Sequence, residues 1–279
     1  MGIDKDLYKD AGRPSRRVRQ HSNPLRSELQ VPVGPLDWAA VYADPSLPLA
    51  VDVGAGYGRF LLALAAASGA HNCRNVLGLE IRDPLVERGN RWAARLGLDR
   101  RAHFVVANAT VSAAHMLPSY PGGVDLVTIQ FPDPHFKRKH RKRRVVQAEL
   151  VAAVARVLRP GGRLLLQSDV LEVAEDMRDA FEAGAAGRLA LAGAHAGGGA
   201  VFFQASARDG EGEAAPASDS ARAGDSGWAA GGWLRENPLG VPTERELHVL
   251  AQGVPVYRVL LERSAEAPSR GEAAGEAEG

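Results

Sequence analysis

Several features that define common protein classes are scarce in this sequence of 279 residues. It contains one cysteine, Cys73, which excludes an internal disulfide framework and a zinc site made only of cysteines. The longest apolar run, residues 60–67, is far shorter than the ~20 residues that span a membrane. Neither charge dominates, since 34 Lys and Arg oppose 33 Asp and Glu and leave a net charge of +1. Nucleic-acid binding would therefore have to come from local basic clusters.

Composition divides the chain into an arm, one domain, an insertion and a tail. Residues 1–30 are polar and basic and lack apolar periodicity, which is typical of an arm. Residues 31–182 and 233–262 carry apolar runs and helical patterns, and we expect them to form one domain. The range 183–232 is rich in Gly, Ala, Ser and acidic residues, which predicts a disordered insertion. The same composition predicts a disordered tail over 263–279.

Strand and helix patterns alternate through the domain. Apolar runs predict strands, and amphipathic runs with helix-starting or helix-ending residues predict helices. The predicted strands are 49–53, 76–80, 104–107, 126–131 and 163–167, and the predicted helices are 58–68, 84–96 and one with Val146, Leu150, Val154 and Leu158 on one face, ended by Pro160-Gly161-Gly162. This alternation predicts an α/β fold with a doubly wound parallel sheet, whose ligands bind beyond the carboxyl ends of the strands.

A glycine-rich loop, Gly54-Ala55-Gly56-Tyr57-Gly58, follows the first predicted strand and precedes a helix. Glycine lets the backbone adopt positive φ and approach a ligand closely. A dinucleotide fingerprint would need its third glycine where Arg59 stands, so NAD is disfavoured. The spacing suits a ligand without a pyrophosphate, such as S-adenosylmethionine, although a tight turn without a ligand has the same pattern.

Polar side chains follow the next two predicted strands. Glu80 ends the second strand, and a carboxylate there can accept hydrogen bonds from two ribose hydroxyls. Asn108 follows the third strand and could read an adenine edge with its amide. Each residue type is common at such positions, but together with the glycine loop they favour a nucleoside ligand.

The loop after the fourth predicted strand places one aspartate between two prolines. Pro132 and Pro134 each fix their own φ near about −65° and restrict the residue before them, so Asp133 lies on a stiffened loop. A carboxylate there faces the ligand crevice of a doubly wound sheet. The alternative is a rigid turn with a solvated aspartate.

Basic residues are concentrated next to that loop. Seven of the eight residues 137–144 are Lys or Arg, and 13–19 form a second basic cluster. Their density beside a candidate active site indicates a polyanionic substrate, although a targeting signal or a solvated helix start would also be basic. The run contains no aromatic stacking platform, so shape and phosphate contacts should dominate nucleic-acid binding.

Several ordered motifs make the sequence similar to the tRNA (guanine-N7-)-methyltransferase family, and it looks most like the plant and algal members. The motifs are RVRQHSNPL at 17–25, GLEIR at 78–82, FPDPHFK at 131–137, QSDV at 167–170 and WLRENPLGVPTERE at 233–246. The resemblance covers 16–181 and 233–258. Agreement of several motifs in order makes chance a poor explanation.

The resemblance implies a class I, Rossmann-like methyltransferase fold that uses S-adenosylmethionine. It implies a cofactor site made of Asp52, Gly54, Gly56, Glu80, Arg82, Asn108 and Ala109, with Asp133 as the catalytic-site carboxylate. Substrate contacts are expected from Lys137, Asp169, Thr243, Glu244, Arg245 and Glu246. Contacts with tRNA phosphates are expected from Arg16, Arg17, Arg19, Arg138, Lys139, Arg141, Lys142, Arg143 and Arg144. Two departures from the family are Asn108, where many bacterial members carry an acid, and the length of the 183–232 insertion.

The implied reaction is attack by N7 of a tRNA guanine, expected to be the variable-loop guanine, on the sulfonium methyl group. Guanine N7 carries no proton, so no general base is needed, and catalysis should rest on positioning and electrostatics. We expect Asp133 to accept hydrogen bonds from N1–H and N2–H₂ of guanine. Adenine lacks that donor pair and would leave a buried carboxylate unpaired.

Two other functions stay open at this point. One is a methyltransferase of the same fold with a small-molecule or protein acceptor, and the other is a non-catalytic RNA-binding protein that keeps the fold. No metal is expected, because His21, His135 and His140 lack ligand spacing. We also expect a monomer that does not require a protein partner or a membrane, and the compartment is left open.

Overall fold

A computed structural model describes residues 22–67, 74–135, 142–185, 187–196, 201–202 and 226–265. Its frame is a seven-stranded sheet in the order β3-β2-β1-β4-β5-β9-β6. The strands are β1 (Leu49–Val53), β2 (Asn75–Glu80), β3 (Ala102–Val106), β4 (Val124–Gln130), β5 (Leu158–Ser168), β6 (Leu189–Leu191), β7 (Val201–Phe202), β8 (Trp233–Leu234) and β9 (Tyr257–Arg263). The helices are α1 (Trp38–Val41), α2 (Arg59–Ala67), α3 (Asp83–Arg95), α4 (Ala109–Met116), α5 (Ala148–Val157), α6 (Leu171–Gly184) and α7 (Glu244–Ala251).

The first five strands run parallel, as the alternating pattern predicts. Val51 of β1 pairs with Leu77 of β2 on one side and with Val127 of β4 on the other. Every residue of β1 and β2 is buried, because helices cover both faces of the sheet. Strand β9 pairs antiparallel with β5 and β6 at one edge, so the sheet is mostly parallel. The doubly wound α/β fold class is thereby confirmed.

The two main apolar cores lie on the two faces of the sheet. Helices α4, α5 and α6 contribute to the larger one, and α2 and α3 to the smaller. In the smaller core, the ring of Phe104 on β3 lies against three glycines, Gly58, Gly78 and Gly89. A Cβ atom added at any of the three would come within 3 Å of the ring.

The second half of the domain departs from the predicted boundaries. Helix α5 ends at Val157 and β5 begins directly at Leu158. Pro160-Gly161-Gly162 therefore lies within β5 and does not form the end of the helix. The register explains this, because Val124 of β4 pairs with Leu158 and Leu126 pairs with Arg163. The extra residues form a bulge in which Gly161 has a φ of 74°.

The range predicted to be a disordered insertion is ordered at both ends. Helix α6 extends to Gly184, Leu189–Leu191 pairs with β9, and Val201–Phe202 pairs with β8. Leu189 is buried against the sheet, so this segment makes apolar contacts that its composition did not predict. Residues 203–225, most of the arm and most of the tail lie outside the described residues. No helix in the described ranges is long and apolar enough to cross a bilayer.

Candidate active site

A crevice of about 220 Å³ opens at the carboxyl ends of β1, β2, β3 and β4. Its walls are the residues that directly follow these strands, as expected for a doubly wound sheet. Two further segments, from 22–30 and 142–147, line its outer side. Among the predicted site residues, those in the wall are Gly54, Glu80, Arg82, Asn108, Ala109, Asp133, Lys142, Arg143 and Arg144.

The glycine loop has the backbone conformation that its composition predicts. Gly54, Gly56 and Gly58 have φ values of 80°, 55° and 76°, a region that other residues rarely adopt. The amides of Gly54 and Ala55 both donate to the carbonyl of Leu79, at 2.8 and 3.1 Å. A Cβ atom at Gly54 would meet no atom within 4 Å, so the loop leaves open space there for a ligand.

Glu80 is held in the wall by the loop and by Arg82. Its Oε2 accepts hydrogen bonds from the Gly56 amide at 2.9 Å and from Arg82 Nη2 at 3.0 Å. Its Oε1 accepts from the Arg82 amide at 3.0 Å and from Arg82 Nε at 2.9 Å. The carboxylate is therefore fixed in position, and Gly56 acts through its amide rather than from the crevice wall.

Asp52 lies beneath the crevice rather than in its wall. It is buried, and its Oδ1 accepts hydrogen bonds from Thr128 Oγ1 at 2.6 Å and Gln130 Nε2 at 3.3 Å. Burial raises the pKa of Asp52 to about 6, although the hydrogen bonds from Thr128 and Gln130 oppose that shift. Removal from water therefore raises the pKa of Asp52 by more than the two hydrogen bonds lower it.

Asn108 caps helix α4 and contacts the arm. Its Oδ1 accepts a hydrogen bond from the Thr110 amide at 3.2 Å, and its Nδ2 donates to the Pro24 carbonyl at 3.3 Å. Both polar atoms of the side chain therefore have one protein partner each, and the expected contact with an adenine edge stays a prediction. Ala109, at the first position of the helix, contributes apolar surface to the wall.

The Asp133 loop combines two prolines with two left-handed residues. Phe131 and His135 have φ values of 48° and 41°, which are uncommon for residues other than glycine and typical of functional sites. The Phe131 amide donates to the Gln167 carbonyl at 2.8 Å and fixes the start of the loop. Asp133 is exposed at the crevice mouth, not buried as the argument about adenine assumes. A bound base would have to cover the carboxylate before that argument applies.

The segment 243–246, expected to contact substrate, is instead tied to its neighbours. Thr243 Oγ1 accepts from the Glu246 amide at 3.0 Å and caps helix α7. Glu244 pairs with Arg59, and Arg245 pairs with Asp169. In the described part of the chain, the side chains of this segment do not line the crevice.

Glu246 belongs to a buried hydrogen-bond network that the sequence did not reveal. Its Oε1 accepts from Arg258 Nη2 at 2.7 Å, and its Oε2 accepts from Asn237 Nδ2 at 2.8 Å and from Gln167 Nε2 at 3.3 Å. Gln167 Nε2 also donates to Gln130 Oε1 at 2.7 Å, which links the network to the partner of Asp52. The available signal was Arg258 itself, a charged residue within an apolar strand, since such residues are rarely buried without a partner.

The structure brings part of the basic run to the crevice. Lys142, Arg143 and Arg144 line the same cavity as Asp133, and Arg144 also pairs with Asp176 of α6. The remaining predicted contacts lie outside the described residues, namely Arg16, Arg17, Arg19, Lys137, Arg138, Lys139 and Arg141. Three residues of the basic run thus share a cavity with Asp133, and their contact with RNA stays a prediction.

Comparisons with known proteins identify relatives of this chain. Residues 46–189 match the family described as "Putative methyltransferase". The chain is 42% identical to a tRNA (guanine-N(7)-)-methyltransferase from Synechococcus sp. (strain JA-3-3Ab), over 89% of this chain and 86% of that one. It is 40% identical to the protein of that name from Synechocystis sp., over 89% of this chain and 98% of the relative. Among solved structures it is similar to TrmN from Thermus thermophilus, with 21% identity over 53% of this chain and 39% of that chain and a TM-score of 0.39.

Proposed function

The chain belongs to the tRNA (guanine-N(7)-)-methyltransferase family, and from this membership we propose that its crevice binds S-adenosylmethionine and that Asp133 positions a tRNA guanine for methylation at N7. One observation supports this assignment above the others. A single cavity is lined by the glycine loop and Glu80, by Asp133, and by the basic residues 142–144. Cofactor, base and phosphate contacts can therefore meet at one place.

The wall of the crevice suits an adenosyl group. Glu80 offers a fixed carboxylate for ribose hydroxyls, and Ala107 and Ala109 offer apolar surface for a flat base. Arg82 occupies the Glu80 oxygens, so ribose hydroxyls would share or displace its hydrogen bonds. Asp52 supports the site from below through Gln130. When bound, S-adenosylmethionine supplies an electrophilic methyl group.

The side chains of the crevice match the needs of methylation at N7. The N7 lone pair of guanine is already free, so no residue has to remove a proton before the reaction. Asp133 can accept hydrogen bonds from the N1–H and N2–H₂ edge, and its negative charge favours the base as it becomes cationic. The chain's contribution is therefore orientation of the base and electrostatic stabilisation.

The RNA substrate is positioned by the basic residues next to Asp133. Lys142, Arg143 and Arg144 lie where phosphates that flank the bound guanine would pass. We assign the arm residues 16–19 and residues 137–141 to further phosphate contacts. The variable-loop guanine is the proposed acceptor.

Transfer of labelled methyl from S-adenosylmethionine to unmodified tRNA transcripts tests the proposal. Incorporation into a transcript with the variable-loop guanine, and none when that guanine is replaced by adenine, is the expected result. Incorporation that survives the replacement contradicts the proposed position. Binding of S-adenosylmethionine without any incorporation contradicts the acceptor, and absence of cofactor binding would indicate a non-catalytic RNA-binding protein.

A further inference from the structure

Tyr57 has an exposed aromatic ring. It is 45% exposed, and no other Phe, Tyr or Trp within 22–67, 74–135, 142–185, 187–196 or 226–265 is an exposed large apolar residue. It lies between Gly56 and Gly58, in the loop whose Gly54 lines the crevice. Tyr57 is three positions after Gly54 in the chain, so their Cα atoms are at most ~11 Å apart. An exposed ring is therefore placed beside the crevice but outside its wall.

Two arginines contact the Tyr57 ring. The guanidinium carbons of Arg88 and Arg59 lie 5.2 and 5.8 Å from its centroid. The same two carbons lie 5.8 and 5.2 Å from the centroid of Trp92, which is buried. Both guanidinium groups thus contact both rings, while Tyr57 stays 45% exposed. Cation–π contacts of this kind help to orient a ring.

Arg88 differs from Arg59 in its ion pairing. Arg59 pairs with Glu244, whereas no carboxylate of the described residues lies within ion-pair distance of Arg88. An exposed aromatic ring next to a guanidinium that has no ion pair among the described residues suits a nucleotide, whose base stacks while its phosphate meets the cation. Neither group takes part in the cofactor and guanine contacts assigned above.

We propose that Tyr57 and Arg88 form a stacking platform for an unpaired nucleobase of the RNA substrate, beside the crevice that holds the methylated guanine. The platform rests on the proposed function, since it takes RNA to be the substrate. It adds an aromatic contact to a surface that otherwise relies on phosphate and shape recognition. Because the Tyr57 ring is already held in place before RNA binds, stacking a base on it costs little conformational entropy.

The test measures binding of an unmodified, full-length tRNA transcript to wild-type protein and to the variants Y57F and Y57L. Y57F keeps an aromatic face and should bind within about twofold of wild type. Y57L keeps apolar bulk without an aromatic face and should bind about tenfold more weakly, as expected for loss of one stacked base. Melting temperatures close to that of wild type establish that the loop stays folded.

A pair of arginine variants provides the matched control. R88A and R91A each remove one positive charge from helix α3, but Arg91 is exposed and paired with Glu87 at 3.7 Å. R88A should weaken tRNA binding severalfold more than R91A does. Equal effects would overturn the role of Arg88, because general electrostatic attraction would then explain both.

Two results overturn the platform as a whole. One is tRNA binding by Y57L within twofold of wild type, and the other is binding by Y57F as weak as that of Y57L, which would assign the effect to the hydroxyl group. Methyl transfer by the wild-type protein separates this failure from failure of the proposed function. If wild-type protein neither binds nor methylates tRNA, the proposed function fails and the platform fails with it.

Discussion

Arg258 Nη2 donates a hydrogen bond to Glu246 Oε1 over 2.7 Å, and both side chains are 2% exposed. The pair joins β9 to helix α7. Arg258 extends the connection, because its Nε donates to Gln167 Oε1 at 3.1 Å and its Nη1 donates to the carbonyl of Arg235 at 2.8 Å. Glu246 therefore holds the segment before helix α7 through hydrogen bonds to Asn237 and Thr243, and it does not line the crevice.

Loss of one partner of this pair should destabilise the fold strongly. E246Q and R258M each leave a buried group without its counter-charge, which costs about 3–5 kcal/mol of unfolding free energy. Replacing both by apolar residues, as in E246L/R258M, should cost less than the sum of the single changes. Urea unfolding measures all three. The control is E244Q, because Glu244 forms a pair that is half exposed and should contribute at most ~1 kcal/mol. An E246Q protein as stable as E244Q would contradict the prediction.

Asp133 should be needed for turnover and not for cofactor binding. We expect D133N and D133A to lower kcat by about 100-fold, a size typical for removal of one electrostatic contact in a transition state. Binding of S-adenosylmethionine, measured by calorimetry, should stay within a few-fold of wild type. D99N, which changes an exposed acid in the turn after α3, provides the control. Near-normal turnover by D133N would remove Asp133 from its assigned role.

The buried carboxyl of Asp52 should give stability a characteristic pH dependence. Its pKa is about 6 in the folded protein against a reference value of 3.8. Between these values the folded state holds a proton that the unfolded state has released, so the contribution of Asp52 to stability falls as pH rises from about 4 to 6. Above pH 6 the full destabilisation, on the order of 3 kcal/mol, is present.

The variant D52N isolates this effect. An asparagine Oδ1 can still accept from Thr128 and Gln130, but it does not titrate. D52N should be more stable than wild type at pH 7, and the difference should shrink toward zero near pH 4. Denaturant unfolding across this range measures it. A difference that stays constant or grows toward acid pH would refute the assignment.

Affinity for tRNA should fall steeply with salt. If ~5 phosphates are neutralised, a plot of the logarithm of the association constant against the logarithm of salt concentration should have a slope of about −4. Replacing Lys142 or Arg143 with alanine should reduce the magnitude of the slope by about 1. Filter binding at several salt concentrations gives these slopes. A flat response would exclude docking through the basic clusters.

The sequence predicts the part of the fold that rests on local patterns. Strand β1 and the glycine loop have the predicted boundaries because an apolar run is followed directly by residues that need positive φ. Helix α4 was missed, since its buried residues are mostly small, as at Ser112 and Ala113, and carry little apolar periodicity. The antiparallel strand β9 was also missed, because its partner β5 lies about 90 residues away in the chain.

Some residues of the candidate site could also be predicted from local sequence, and others could not. Glu80 and Asp133 lie in the crevice wall because each directly follows a strand that local sequence identifies. The interior position of Glu246 depends on Arg258 and Gln167, and nothing in the local sequence pairs them. Family resemblance identifies such a residue as important, but only the three-dimensional contacts show that it lies in this buried network.

The ring of Phe104 requires glycine at three positions for a reason other than backbone conformation. A Cβ atom at Gly58, Gly78 or Gly89 would lie 2.6, 2.3 or 2.8 Å from its ring. The three glycines belong to the loop after β1, to β2 and to α3, so one ring sets the spacing of all three elements behind the crevice. These four positions share a single volume and should change together in evolution. A smaller side chain at position 104 would release the glycine at 89. Gly78 would still be constrained by the Cβ atom of Ala55 at 2.9 Å, and Gly58 by its φ of 76°.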